Sequence, residues 1–96
     1  MNVIKITSTV SIKAIENQLR ALQLEVQGSF ETVRLRDGGV MIVNEKGAVN
    51  GMPQNPIASL VAGTMIYGPA LIAGVDGDEF TDVPEQYHEL LMLEPM

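Results

Sequence analysis

Cysteine and tryptophan are absent from the 96-residue chain, and histidine occurs once. Without cysteine there is no disulfide framework, thiolate nucleophile or cysteine zinc site, so packing alone must hold a fold of this size. The absence also suits a reducing cytoplasm. His88 has no second imidazole to join it at a metal, and none to complete a nucleophilic triad. No apolar run approaches the roughly 18 to 20 residues that cross a bilayer. The opening Met-Asn-Val-Ile-Lys-Ile carries neither a basic leader nor an apolar h-region. A cytoplasmic protein with no membrane partner is the expectation.

Positive charge is also scarce, with six Lys and Arg against twelve Asp and Glu and a net charge of −6. It is unevenly spread. Residues 1–36 carry Lys5, Lys13, Arg20, Arg34 and Arg36 against Glu16, Glu25 and Glu31, a net of +2; residues 37–96 carry Lys46 against nine acids, a net of −8. From Asp76 to Glu94 there is no Lys or Arg. That end would repel nucleic acid, whose binding begins with cationic neutralisation of phosphates, so no direct nucleic-acid partner is expected.

What is present is apolar. Hydrophobic residues make up 46% of the chain and charged residues 19%, enough to bury a core and far from a disordered composition. A chain this short builds one core, so residues 1–96 are read as a single domain.

Val3 to Ile6 reads as a short strand, and Thr7-Ser8-Thr9 offers hydroxyls to cap a following helix. Ile12, Ile15, Leu19, Leu22 and Val26 recur at spacings of three and four, which predicts an amphipathic helix of about four turns ended by Gly28. Phe30–Leu35 and Val40–Val43, separated by Asp37-Gly38-Gly39, predict a hairpin whose second strand is apolar on both faces. After the turn at Asn44–Gly47, Ala48-Val49 is a brief candidate for pairing. The loop from Asn50 to Asn55 leads into Asn55-Pro56, an N-cap followed by a proline at the first helical position, with Gly63 as the stop. Met65–Val75 reads as a central strand kinked at Gly68-Pro69. Asp76–Glu79 is a turn, and Asp82 with Glu85 resembles a capping box opening a last helix through Tyr87, Leu90 and Leu91. The expectation is an α+β fold in the order β-α-β-β-α-β-α, with three helices on a small mixed or antiparallel sheet of four to five strands. A strand apolar on both faces needs cover on both, which helices or a second copy would supply, so self-association as a homodimer or higher oligomer is also expected.

Chemistry is sparse. Asp76, Asp78, Glu79 and Asp82 invite a cation, but Thr81 and Tyr87 stand where a calcium loop of this register needs its glycine and its bidentate glutamate. The plainer reading is a solvated turn. His88-Glu89 opens like a zinc-protease helix, yet Met92 occupies the position of the second histidine, which leaves a surface histidine. No serine lies in a GxSxG elbow, and no glycine set forms a phosphate cradle. No catalytic residue, metal ligand or cofactor is therefore assigned. The candidate ligand-binding residues are Asn44, Asn50, Asn55 and Gly68, which flank the irregular loop and the Gly68-Pro69 kink. Two readings of them stay open: asparagines that cap helices and tolerate left-handed turns, or carboxamides that line a pocket for a neutral or anionic small molecule.

Four motifs occur in order: Val43-Asn44-Glu45-x-Gly47, Asn50-Gly51-x-Pro53-x-Asn55-x-x-Ala58, Gly68-Pro69-Ala70-Leu71-Ile72-x-Gly74, and Asp78-Glu79-Phe80-Thr81-Asp82-Val83-Pro84. Together they resemble an uncharacterised family, a domain of unknown function found in short proteins of bacteriophages and mobile elements. The likeness spans residues 26–87; residues 1–25 add nothing to it. It implies an accessory protein made inside a bacterial host cell and brings no activity with it. The functional expectation is a non-enzymatic binding module whose partner is a host protein or a sequestered small ligand such as a nucleotide signal. Two alternatives stand beside it: an acidic mimic of DNA that inhibits a nucleic-acid-binding host protein, and a small hydrolase using Asn55 or Asp78.

Overall fold

The computed structural model describes residues 1–92. Along them run β1 (Asn2–Ile6), β2 (Val10–Ala14), α1 (Leu19–Val26), β3 (Phe30–Arg34), β4 (Val40–Asn44), α2 (Pro56–Ala62), β5 (Ala70–Asp76), β6 (Glu79–Thr81) and α3 (Gln86–Leu90). Residues 1–92 form a small α+β domain built on one antiparallel six-stranded sheet with three helices. Five strands lie in the order β2-β1-β5-β4-β3, and β6 pairs with the far end of β5. Relative to the sequence expectation, β2 and β6 are additional.

β2 lies where the sequence predicts the first two turns of a helix. The three-four spacing of Ile12, Ile15 and Leu19 is real, but Val10, Ile12 and Ala14 also alternate with Ser11 and Lys13. β1 has an open edge beside them. Thr7-Ser8-Thr9 turns the chain back, with the Thr7 N–H donating to the Thr9 carbonyl at 2.8 Å, and Ile4 faces Ile12 across the new ladder. Pairing an edge strand outweighs a weak local helix preference, because each strand residue gains a backbone partner and a cross-strand contact together. The helix that remains, α1, has eight residues. It buries Leu22 and Val26 one turn apart and leaves Leu19 63% exposed, so only part of the expected stripe faces the core.

β4 and β5 form the spine of the sheet, and Val40–Val43 and Ala70–Ala73 are buried throughout. Their alternation splits the core into two layers. Ile4, Ile6, Met41, Val43, Ala70 and Ile72 meet Ala58 of α2 and Tyr87 of α3 on one face. Val3, Val40, Ile42, Leu71 and Ala73 meet Leu22 and Val26 of α1 on the other. The two-sided cover that an apolar central strand requires is thus supplied within the chain.

Local signals hold in α2 and in the β3–β4 hairpin, whose register pairs Phe30 with Asn44 and Arg34 with Val40. The end of α1 falls one residue early: Gln27, not Gly28, takes the left-handed position. Ala48-Val49 makes no strand and lies in turns, with Val49 85% exposed. Asp82 does not cap α3. Its Oδ1 accepts the Asn2 N–H at 2.8 Å while the Val83 N–H donates to the Asn2 carbonyl, so the start of β1 claims the residue first. Glu85 is the N-cap of α3 and makes no side-chain capping bond.

Candidate functional site

The irregular loop is organised by two asparagines that do the same work at opposite ends. Asn55 is 4% exposed. Its Oδ1 accepts the Ala58 N–H at 3.1 Å and caps α2, while its Nδ2 donates to the carbonyls of Ile6 and Gly68, both at 2.9 Å. Asn44 is buried at the end of β4, where its Nδ2 donates to the carbonyls of Val26 and Gln27 and its Oδ1 accepts the Lys46 N–H at 2.8 Å. In each, both amide hydrogens and the oxygen are committed to backbone. Asn55 ties the end of β1 to the loop before β5; Asn44 ties the end of α1 to the turn after β4. These bonds fit the capping reading of both residues, and neither amide has a hydrogen left for a ligand. Asn50 stands in solvent on a turn, with its backbone N–H donating to the Lys46 carbonyl.

Gly68 is positioned by that same Asn55 and has φ +86°, with its N–H donating to the Pro53 carbonyl at 2.8 Å. The positive φ favours glycine, and a β-carbon there would lie 2.6 Å from Met52 Sδ, so a larger residue would also push that thioether aside.

Around this corner lies a half-open concavity of about 300 Å³. Its walls are Met52, Pro53, Gln54, Asn55 and Pro56 of the loop, Gly68-Pro69 of the kink, Thr7 and Ser8 at the β1–β2 tip, and Gln27 at the end of α1. Of the four candidate residues, Asn55 and Gly68 meet here, while Asn44 and Asn50 do not line it. Thr7, Ser8 and Gln27 were not among the candidates. Thr7-Ser8-Thr9 carried a signal, a hydroxyl-rich turn, but only pairing of β1 with β2 swings it to this corner; Gln27 carried none.

Among the described residues, no Asp, Glu, Lys, Arg or His lines the concavity. Its chemistry is thioether and proline ring on one side, and hydroxyl and carboxamide on the other. The charged groups lie elsewhere. Glu25 of α1 bonds Lys5 at 2.8 Å and Lys13 at 2.9 Å across the β1–β2 hairpin. Partial burial works to raise the carboxyl of Glu25, but the hydrogen bonds and charges of the two lysines outweigh it and hold it below its ordinary value. Tyr87 is raised, first by burial and further by the negative charge of Asp37; the nearby backbone of Gly39 and Asp37 offsets part of this. Its hydroxyl has no partner of normal geometry among the described residues.

His88 is not the surface histidine expected from the sequence. It is partly buried, and neither ring nitrogen has solvent contact or a partner among the described residues. No three His, Asp or Glu side chains converge on a common point among the described residues. The acids at 76, 78 and 79 ring the β5–β6 turn, and Glu94 lies outside the described residues. Asn55 and Asp78, either of which is a candidate residue for a hydrolase, are held near opposite ends of seven-residue β5, roughly 20 Å apart at the usual strand rise. No helix among the described residues is long and apolar enough to cross a membrane.

A family model described as a domain of unknown function (DUF3846) matches residues 1–93. The match takes in the first 25 residues, which the motif resemblance left out, and those residues build β1, β2 and most of α1. Comparison with curated proteins and with solved structures returned no significant match.

Proposed function

We propose that this chain, which belongs to the family described as a domain of unknown function (DUF3846), acts by binding a small neutral molecule in the concavity beside Gly68. The observation that carries the reading is the wall chemistry: about 300 Å³, half open, without an ionisable side chain among the described residues, floored by a buried asparagine whose amide hydrogens are both spent on holding the shape. The volume is at the small end of the range for ligand pockets, and a mostly apolar wall with a few hydrogen-bonding groups is the usual composition. Nothing on that wall would compensate a phosphate, so an anionic nucleotide suits it less well than an uncharged ligand. The hydroxyls of Thr7 and Ser8 have no base beside them on this wall to activate them, and binding without turnover fits that chemistry.

The motif resemblance supports a setting inside a bacterial cell, as an accessory protein of a phage or mobile element that sequesters such a molecule or presents it to a host protein. Self-association belongs to the same proposal and rests on Leu19, Leu24 and Leu60, which are more than half exposed. Size-exclusion chromatography with light scattering reads it, and a strict monomer at micromolar concentration removes it.

Screening neutral fragments by amide chemical-shift perturbation tests the main reading. Hits should move Thr7, Gln54 and Gly68 together and vanish in Ser8→Trp, which fills the mouth from an exposed hairpin tip. Fragments that bind equally well to Ser8→Trp, or no perturbation at this corner, would refute it.

A further inference from the structure

Gln27 is an exposed residue in a costly conformation. Its backbone has φ 66° and ψ 39°, and Met92 is the one other non-glycine at positive φ among the described residues. The left-handed region suits glycine and crowds a β-carbon against the following carbonyl. Gly28 stands one position later, so a glycine in the neighbouring place would relieve the strain. The backbone is pinned on both sides: the Gln27 N–H donates to the Gln23 carbonyl, and the Gln27 carbonyl accepts from Asn44 Nδ2 at 3.2 Å. The side chain, in contrast, makes no hydrogen bond to any described residue, and Gln27 stands between the neutral concavity and a groove over α1, lining both. A strained backbone that holds a residue with an uncommitted carboxamide at the rim of a pocket is a pattern expected of a recognition group.

We propose that Gln27 is the specificity-determining residue of this pocket and that the ligand is a nucleobase or nucleoside without phosphate; the proposal rests on the binding reading above. A carboxamide presents one donor and one acceptor side by side, which matches the paired donor and acceptor on the edge of a base. The remaining wall suits a flat ring. Met52 supplies a polarisable thioether, which makes favourable contacts with aromatic rings, and Pro53, Pro56 and Pro69 supply apolar surface. The volume accommodates a ring, and the neutral wall favours the base over its phosphorylated form.

The test uses the full chain and its Gln27→Gly variant, titrated with adenine, cytosine and uracil, their nucleosides, and the corresponding monophosphates, followed by amide shifts and calorimetry. At least one base or nucleoside should perturb Thr7, Gln54 and Gly68, and its monophosphate should bind more weakly. Gln27→Gly should melt roughly 2–6 °C higher, because glycine relieves the left-handed strain. The same variant should lose about tenfold or more in affinity, the cost of leaving the edge of the base unpaired. Unchanged affinity in Gln27→Gly would make the residue merely a helix end and overturn the assignment. Tighter binding of a monophosphate, or binding only of aliphatic fragments, would overturn the ligand class while leaving the pocket. Silence from every base, nucleoside and neutral fragment at these amides would remove both.

Discussion

Replacing Asn55 with alanine removes three hydrogen bonds at one buried point, and their separate costs can be estimated. The Oδ1 bond to the Ala58 N–H is a helix N-cap, worth about 1 kcal/mol. The two Nδ2 bonds satisfy the carbonyls of Ile6 and Gly68 at a site that is 4% exposed; a buried acceptor that loses its partner costs about 1 kcal/mol, or less where a ladder bond remains on the second lone pair. The total is about 2–4 kcal/mol, a large share of the roughly 5–15 kcal/mol that holds a domain together. For a chain of this size that lowers the melting temperature by about 10–25 °C. Urea unfolding followed by circular dichroism measures it, with Asn50→Ala as the control. Asn50 is exposed, so its replacement should stay within about 0.5 kcal/mol. If Asn55→Ala fell within that margin too, the idea that the loop is hung from this amide would fail. A gain in stability from Asn55→Leu would refute it as well, since leucine replaces the volume but not the bonds.

Glu25→Gln should flatten the acid limb of the stability profile. The carboxyl is held below its ordinary value in the folded state, so its stabilisation is present above the unfolded value and is lost as pH falls through the folded one. Because Lys5 and Lys13 are partly exposed, the loss at neutral pH should be no more than about 1 kcal/mol and should shrink in high salt; denaturant titrations between acid and neutral pH read both. Tyr87→Phe should change stability by no more than about 1 kcal/mol, since it deletes a buried hydroxyl that has no partner of normal geometry among the described residues. It should also remove an alkaline loss of stability: a tyrosine raised in the folded state ionises first in the unfolded chain, so stability falls as pH rises above the unfolded value. Absorbance titration and melts above neutrality check this, and an unchanged alkaline slope would contradict it. Gly47→Ala should cost about 1–3 kcal/mol by overpacking, because a β-carbon there would clash with the backbone carbonyl of Tyr67. A melting curve like that of the parent would show that this contact gives way easily.

The asparagines show how motif and role separate. Asn44 and Asn55 hold two helix ends and two chain crossings, and both hydrogens of each buried amide are committed to backbone. The residue proposed to read the ligand, Gln27, sits in a stretch with no motif. Its φ is imposed by the end of α1 and by Asn44 from another element, so no local preference of glutamine would reveal it. The pocket was legible only in part, as a loop and a kink that had to border something; the third wall comes from the β1–β2 tip, which the helical spacing of Ile12, Ile15 and Leu19 concealed.

By itself the sequence determined the elements whose signals are short and chemically specific. These are the Asn55-Pro56 start and Gly63 stop of α2, the hairpin around Gly38-Gly39, and the two-sided apolar runs of β4 and β5 that had to become the spine. Tertiary structure decided where a short stretch was compatible with two periods or where a side chain had two claimants. Residues 10–14 became β2 because β1 offered an open edge, and Asp82 went to the first amide of β1 before it could cap α3. In both cases a backbone partner distant in sequence outweighed a local preference worth a fraction of a kcal/mol.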